Sequence, residues 1–111
     1  MQLTTETIHN VLLIALEGQI NGNNSAELKK ILTAYVEDGA HKIALDFSQV
    51  DYISSAGLRV VLLLAESVAG QAGQLVLYGL KASVFEVFEM AGFVDILTIV
   101  NTREMALARF Q

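Results

Sequence analysis

The chain has 111 residues, 53% hydrophobic and 17% charged, and its 12 acidic and seven basic side chains leave a formal charge of −5. That length predicts one domain, residues 1–111, burying roughly 65% of its unfolded surface, and the low charged fraction excludes an intrinsically disordered chain. The negative balance disfavours nucleic acid and anionic membrane as partners, and the absence of Cys removes disulfides, thiolate metal sites and cysteine nucleophiles together.

In chain order, a strand near 3–8 is expected to pair antiparallel with 11–17 around His9-Asn10. Leu28, Ile31, Leu32, Tyr35 and Val36 fall at i, i+3, i+4, i+7 and i+8, one face of a helix. That helix covers roughly 25–38, with Asn24 and Glu27 resembling a capping box and Gly39 as C-cap. The run Lys42–Phe47 lacks clean alternation, as an interior strand covered on both sides should. A second helix, about 56–69, follows from Leu58, Val61, Leu62, Ala65 and Ala69, with a stop near Gly70. Leu75–Tyr78 reads as a strand. A third helix starts after a cap at Ser83 and ends at Gly92, Ile96–Val100 is a last strand, and a short helix of about 102–110 starts from Thr102. Strand–helix–strand units need crossovers, so the class is α/β, a mostly parallel sheet of about five strands with about four helices.

Several chemistries are absent. The longest uninterrupted apolar runs, Val11–Leu16 and Val60–Ala65, have six residues, against the ~20 that span a bilayer. Met1–Glu6 lacks the basic and apolar regions of a secretion signal, so direct membrane insertion is not expected and a cytoplasmic location is. His9 and His41 have no ligand-spaced partners and read as solvated turn residues. There is no phosphate-loop, dinucleotide, nucleophile-elbow or metalloprotease motif. Gly70-Gln-Ala-Gly73 is a connector, and Asp46 with Asp51 forms a carboxylate pair without base, nucleophile or metal ligand nearby. No metal site, cofactor or enzymatic activity is expected.

The informative segment is Leu45-Asp46-Phe47-Ser48-Gln49-Val50-Asp51-Tyr52-Ile53-Ser54-Ser55-Ala56-Gly57-Leu58-Arg59. A strand ends at Asp46, a short loop follows, and Ser54 or Ser55 opens the second helix. A serine there caps a free backbone N–H, a role worth ~1 kcal/mol. The same geometry suits a phosphate, which would meet unpaired N–H groups and the positive end of the helix dipole, with Arg59 one turn along and within reach.

This segment resembles the signature of the STAS family, the anti-sigma-factor antagonists. Leu16-Glu17-Gly18-Gln19-Ile20-Asn21 leading into Ser25-Ala26-Glu27-Leu28 is similar to the family's second strand and first helix, and Val84 to Phe93 resembles its third helix. The resemblance implies a protein-binding module that sequesters an anti-sigma factor with serine kinase activity. That kinase phosphorylates the Ser two residues before the Gly-Leu, which is Ser55 here, and a PP2C-type phosphatase restores the free hydroxyl. Ser54 stands where the family often has Asp, which makes it the second candidate, and Asn21 matches a turn where Asp is also common.

Helical geometry puts Arg59, Leu63, Glu66 and Ser67 on one polar face, leaving Leu63 as an apolar residue among charges. In an open α/β sheet the loops at the carboxyl ends of parallel strands converge. The expected partner surface therefore joins Asn21 and Asn24 to Ser54, Ser55, Gly57, Arg59 and Leu63. Ser55 is expected as the N-cap of the second helix, and Gly57 is expected to keep bulk away from an approaching kinase. Two other readings share the fold: a STAS subunit serving a lipid or anion transporter without phospho-switching, and a small nucleotide-binding domain.

Overall fold

A computed structural model describes all 111 residues. The chain runs β1 (Gln2–Ile8), β2 (Val11–Ile20), α1 (Ser25–Glu37), β3 (Lys42–Ile53), α2 (Ser55–Ala69), β4 (Gln74–Tyr78), α3 (Ala82–Met90), β5 (Thr98–Val100) and α4 (Arg103–Ala108). The strands form one sheet in the order β1-β2-β3-β4-β5, with β1 antiparallel to β2 and every other pair parallel. The accessible surface of 6151 Å² agrees with the ~6,000 Å² that scaling gives for a folded chain of this mass.

The sequential strand order explains the layering. Right-handed crossovers that all step in one direction put every connecting helix on the same face of the sheet. Accordingly α1, α2 and α3 cover one face, over a core that includes Ile14, Ile20, Leu32, Leu45, Phe47, Val61 and Phe88. On this face Phe47 and Phe88 meet edge to face, their ring centroids 5.8 Å apart. The other face carries a smaller cluster, Val11, Leu13, Ala44, Val76, Tyr78 and Val100, closed by Ala106 of α4. The central strand is β3, with Ile43 and Leu45 fully buried, as the unalternating run predicts.

The largest departure from the sequence reading is the length of β3. It continues through the expected loop to Ile53, and β2 runs on to Ile20 beside it. Two irregularities make this possible. Ala15 pairs with Asp46 but Glu17 with Gln49, and Gly18 pairs with Val50 but Gln19 with Tyr52, so β3 carries one extra residue at each step. Each bulge rotates the strand and returns an apolar side chain to the core. Phe47, Val50 and Ile53 are all buried, though three residues apart. The Asp46 carboxylate accepts the Ser48 N–H at 2.8 Å, within the first bulge.

Helix ends differ in detail. Asn24 occupies the N-cap of α1 but makes no side-chain cap, so the capping box with Glu27 does not form; its amide is used within the preceding loop. At the C-terminus of α1 the N–H of Ala40 reaches the carbonyl of Tyr35 and that of Gly39 the carbonyl of Val36. This reversal needs the left-handed φ of 105° that Gly39 supplies. Gly70 stays helical, and the chain turns instead at Ala72, φ 57°. Helix α3 starts a residue before Ser83, with Lys81 as its uncapped N-cap. Thr102 caps α4 as expected, accepting from Met105 N–H at 3.1 Å.

Candidate functional site

The site is built where β2 and β3 end. The backbone N–H of Ser54 donates to the carbonyl of Ile20 at 2.8 Å, joining the start of α2 to the loop that enters α1. Within that loop two asparagines hold each other. Asn24 Oδ1 accepts the Asn21 N–H at 2.9 Å, and Asn21 Oδ1 accepts the N–H groups of Asn23 at 2.9 Å and Asn24 at 3.2 Å. The Asn24 amide then donates to the Gln19 carbonyl at 2.8 Å. Asn side chains satisfy turn backbone in this way without adding charge. Asn21 and Asn24 are thus half-buried framework of the loop beside Ser54.

The two serines divide their roles in the reverse of the expected way. Ser54, not Ser55, is the N-cap: its φ and ψ are extended, it is half-buried, and its Oγ accepts the Gly57 N–H at 3.2 Å. Ser55 is the first helical residue, exposed, and its hydroxyl makes no hydrogen bond within the protein. The reason is local. The extra residues in β3 carry the strand to Ile53, so the residue that turns the chain from strand to helix is the first serine, not the second.

Gly57 is buried, and a Cβ there would stand 2.6 Å from Ile20 Cγ2 and 2.9 Å from Ile53 Cγ1. Its missing side chain lets the first turn of α2 seat against the ends of β2 and β3. This corrects the expectation that it clears a path for a kinase and forms part of the contact surface.

Arg59 and Leu63 are both exposed, Leu63 at 37%, but they face different neighbours. Ser55, Leu58, Arg59 and Leu62 border a shallow depression of about 270 Å³ closed by Ala91 and Phe93 beyond α3. Leu63 lies toward α1, in a groove of about 380 Å³ with Lys29, Leu32, Thr33, Val60 and Ser67. The residues lining this depression that the sequence reading did not single out for the site are Leu62, Ala91 and Phe93. In the sequence they read only as helix-face and helix-end residues, because only the fold brings the segment after α3 to the depression beside the start of α2. Just along the chain, Met90 and Ile96 are exposed at 84% and 64%. Lys81 and Asp51 form a salt bridge between the start of α3 and the end of β3. No three His, Cys, Asp or Glu side chains gather to hold a metal, and no helix is long and apolar enough to cross a membrane.

Comparison with known proteins matches residues 2–106 to the STAS domain. The chain is 45% identical over its full length, and over 96% of the relative, to the "Putative anti-sigma factor antagonist BtrV" of Bordetella bronchiseptica. It is 30% identical to the anti-sigma-B factor antagonist of Listeria monocytogenes, across 86% of this chain and 82% of that one. Among solved structures, the anti-sigma factor antagonist SpoIIAA in its unphosphorylated form matches with a TM-score of 0.85 at 20% identity, covering 98% of this chain and 96% of that one. The phosphorylated form of the Bacillus protein matches at 0.77 and 19%, covering 99% and 100%. The match over residues 2–106 and the 45% identity over the full chain show that the chain belongs to the STAS-domain family.

Proposed function

We propose that this protein is a cytoplasmic anti-sigma factor antagonist switched by phosphorylation of Ser55. It is a binding module, not an enzyme. Its partner is an anti-sigma factor that is also a serine kinase, which it sequesters while Ser55 is unmodified. The kinase transfers the γ-phosphoryl group of ATP to the Ser55 oxygen, releasing ADP and a proton, and a PP2C-type phosphatase hydrolyses the phosphoserine. The docking surface comprises Ser55, Arg59 and Leu63, supported by the loop of Asn21 and Asn24 and by the capped turn at Ser54.

The observation that carries this reading is the division of labour between the serines. Ser55 offers a free, exposed hydroxyl at the first turn of α2, whereas the Ser54 oxygen is engaged in the cap. Phosphate on Ser55 adds about −1.5 to −2 charge. On docking, that charge must be desolvated, which is sufficient to release a partner while the fold stays intact. The names of the relatives at 45% and 30% identity support the same class of partner.

Affinity capture with the unmodified chain and with chain carrying phosphoserine at 55, followed by mass spectrometry, tests the proposal. A protein kinase retained only by the unmodified chain is expected. Equal retention by both forms, or capture of a membrane transporter instead, would contradict it.

A further inference from the structure

Arg59 stands one helical turn beyond Ser55, and side chains four residues apart on a helix share a face, with Cβ atoms about 5–6 Å apart. Both residues are exposed and both border the depression that Leu58, Leu62, Ala91 and Phe93 line. The salt bridges of the fold are Lys81–Asp51 and Arg103–Glu6, so the Arg59 guanidinium has no anionic partner. The Ser55 hydroxyl likewise has none. Two uncommitted groups therefore face one another across a single turn.

We propose that Arg59 is the clamp of the phosphorylated state, pairing its guanidinium with a phosphate on Ser55 and holding it across the mouth of the depression. This rests on the reading of Ser55 as phosphoacceptor. A phosphate presents three strong acceptor oxygens, and the planar fork of Arg meets two of them at once. The order is also the favourable one, with the anion toward the helix N-terminus and the cation four residues later.

The consequence reaches beyond added charge. In the unmodified chain Arg59 is a free cation on a surface whose protein carries −5 overall, available to an acceptor on the partner. After phosphorylation that cation is consumed, an anion is added, and the apolar floor of the depression is covered by the ion pair. One modification thus makes three changes to the docking surface without moving the backbone.

Phosphoserine placed at position 55 by genetic encoding makes the test independent of any kinase. The readouts are the NMR signal of the Arg59 Nε–H and the Tm of unmodified and phosphorylated chains, in wild type, Arg59→Gln and Arg59→Lys. Phosphorylation is expected to move the Arg59 signal downfield and to raise Tm. That rise should be smaller by roughly 1–2 °C in Arg59→Gln and intermediate in Arg59→Lys, with the difference vanishing at high salt. An unmoved Arg59 signal, with the same Tm change in wild type and Arg59→Gln, would overturn the clamp. Failure here is distinct from failure of the Ser55 reading, which labelling by the kinase decides.

Discussion

Ser54 and Ile20 are joined by a backbone hydrogen bond of 2.8 Å from the N–H of the first to the carbonyl of the second. Through it, the residue that caps α2 is fixed to the end of a neighbouring strand, just before the loop of Asn21 and Asn24. Because Ser54 Oγ also accepts the Gly57 N–H while the Ser55 hydroxyl bonds nothing in the fold, the two serines should respond differently to the same substitution.

Ser54→Ala removes the cap on the Gly57 N–H and should cost ~1 kcal/mol, about 4–8 °C in Tm for a domain near this size. Ser55→Ala should leave Tm almost unchanged, because its hydroxyl bonds nothing in the fold. Thermal melts of the two variants check this. Equal losses would contradict the assignment of the cap.

Gly57→Ala puts a methyl group within 2.6 Å of Ile20 Cγ2. Overpacking of this kind costs ~1–3 kcal/mol, offset by ~1 kcal/mol of helix propensity gained over Gly. A net loss of stability is expected by denaturant titration, together with weaker partner binding as the first turn of α2 lifts from β2 and β3. A variant more stable than wild type would show that the close approach is not needed.

Leu63→Asp should weaken partner binding while changing stability by less than about 1 kcal/mol, because a half-open site on a helix surface has little packing to lose. Binding titration and a melt of the same sample measure the two effects. If the substitution unfolds the domain, Leu63 belongs to the α1–α2 packing and is not free to contact a partner.

The hydroxyl of Tyr78 is buried without a hydrogen-bond partner of good geometry. Burial first, and then the Asp46 carboxylate beside it, push its pKa up to about 12 from the ordinary 10. For an acid with a raised folded pKa, the unfolded chain ionises first, so stability is intact below pH 10 and falls as pH rises from there toward 12. Tyr78→Phe should remove that part of the alkaline loss and be neutral or mildly stabilising at pH 7, since it deletes an unpaired polar group. Urea titrations at pH 7 and above pH 10 compare the two proteins; an unchanged alkaline slope in Tyr78→Phe would contradict the assignment.

The class, the succession of elements and the interior strand were legible because they depend on local pattern. Ile43 and Leu45 in an unbroken apolar run marked the central strand, and Ser54-Ser55 before Leu58 and Val61 marked a helix start. What was not legible depends on neighbours. Phe47, Val50 and Ile53 are spaced by three, a period foreign to a regular strand, so the bulged half of β3 read as a loop; only its pairing with Glu17, Gly18 and Gln19 makes it extended. Placing the strand end too early shifted the expected cap by one residue, from Ser54 to Ser55. The close approach of Gly57 to Ile20, and the depression that Leu62 and Phe93 both line, depend on distant segments, for which a single sequence carries no signal.

The central claim is that Ser55 alone is the switch. Its most direct test is peptide mapping by mass spectrometry after incubation of the chain with ATP and the kinase it captures, in wild type, Ser54→Ala and Ser55→Ala. Phosphate on Ser55 is predicted in wild type and Ser54→Ala, with none in Ser55→Ala although that variant still binds the kinase. Phosphate on Ser54 in wild type, or on neither serine, would contradict the account.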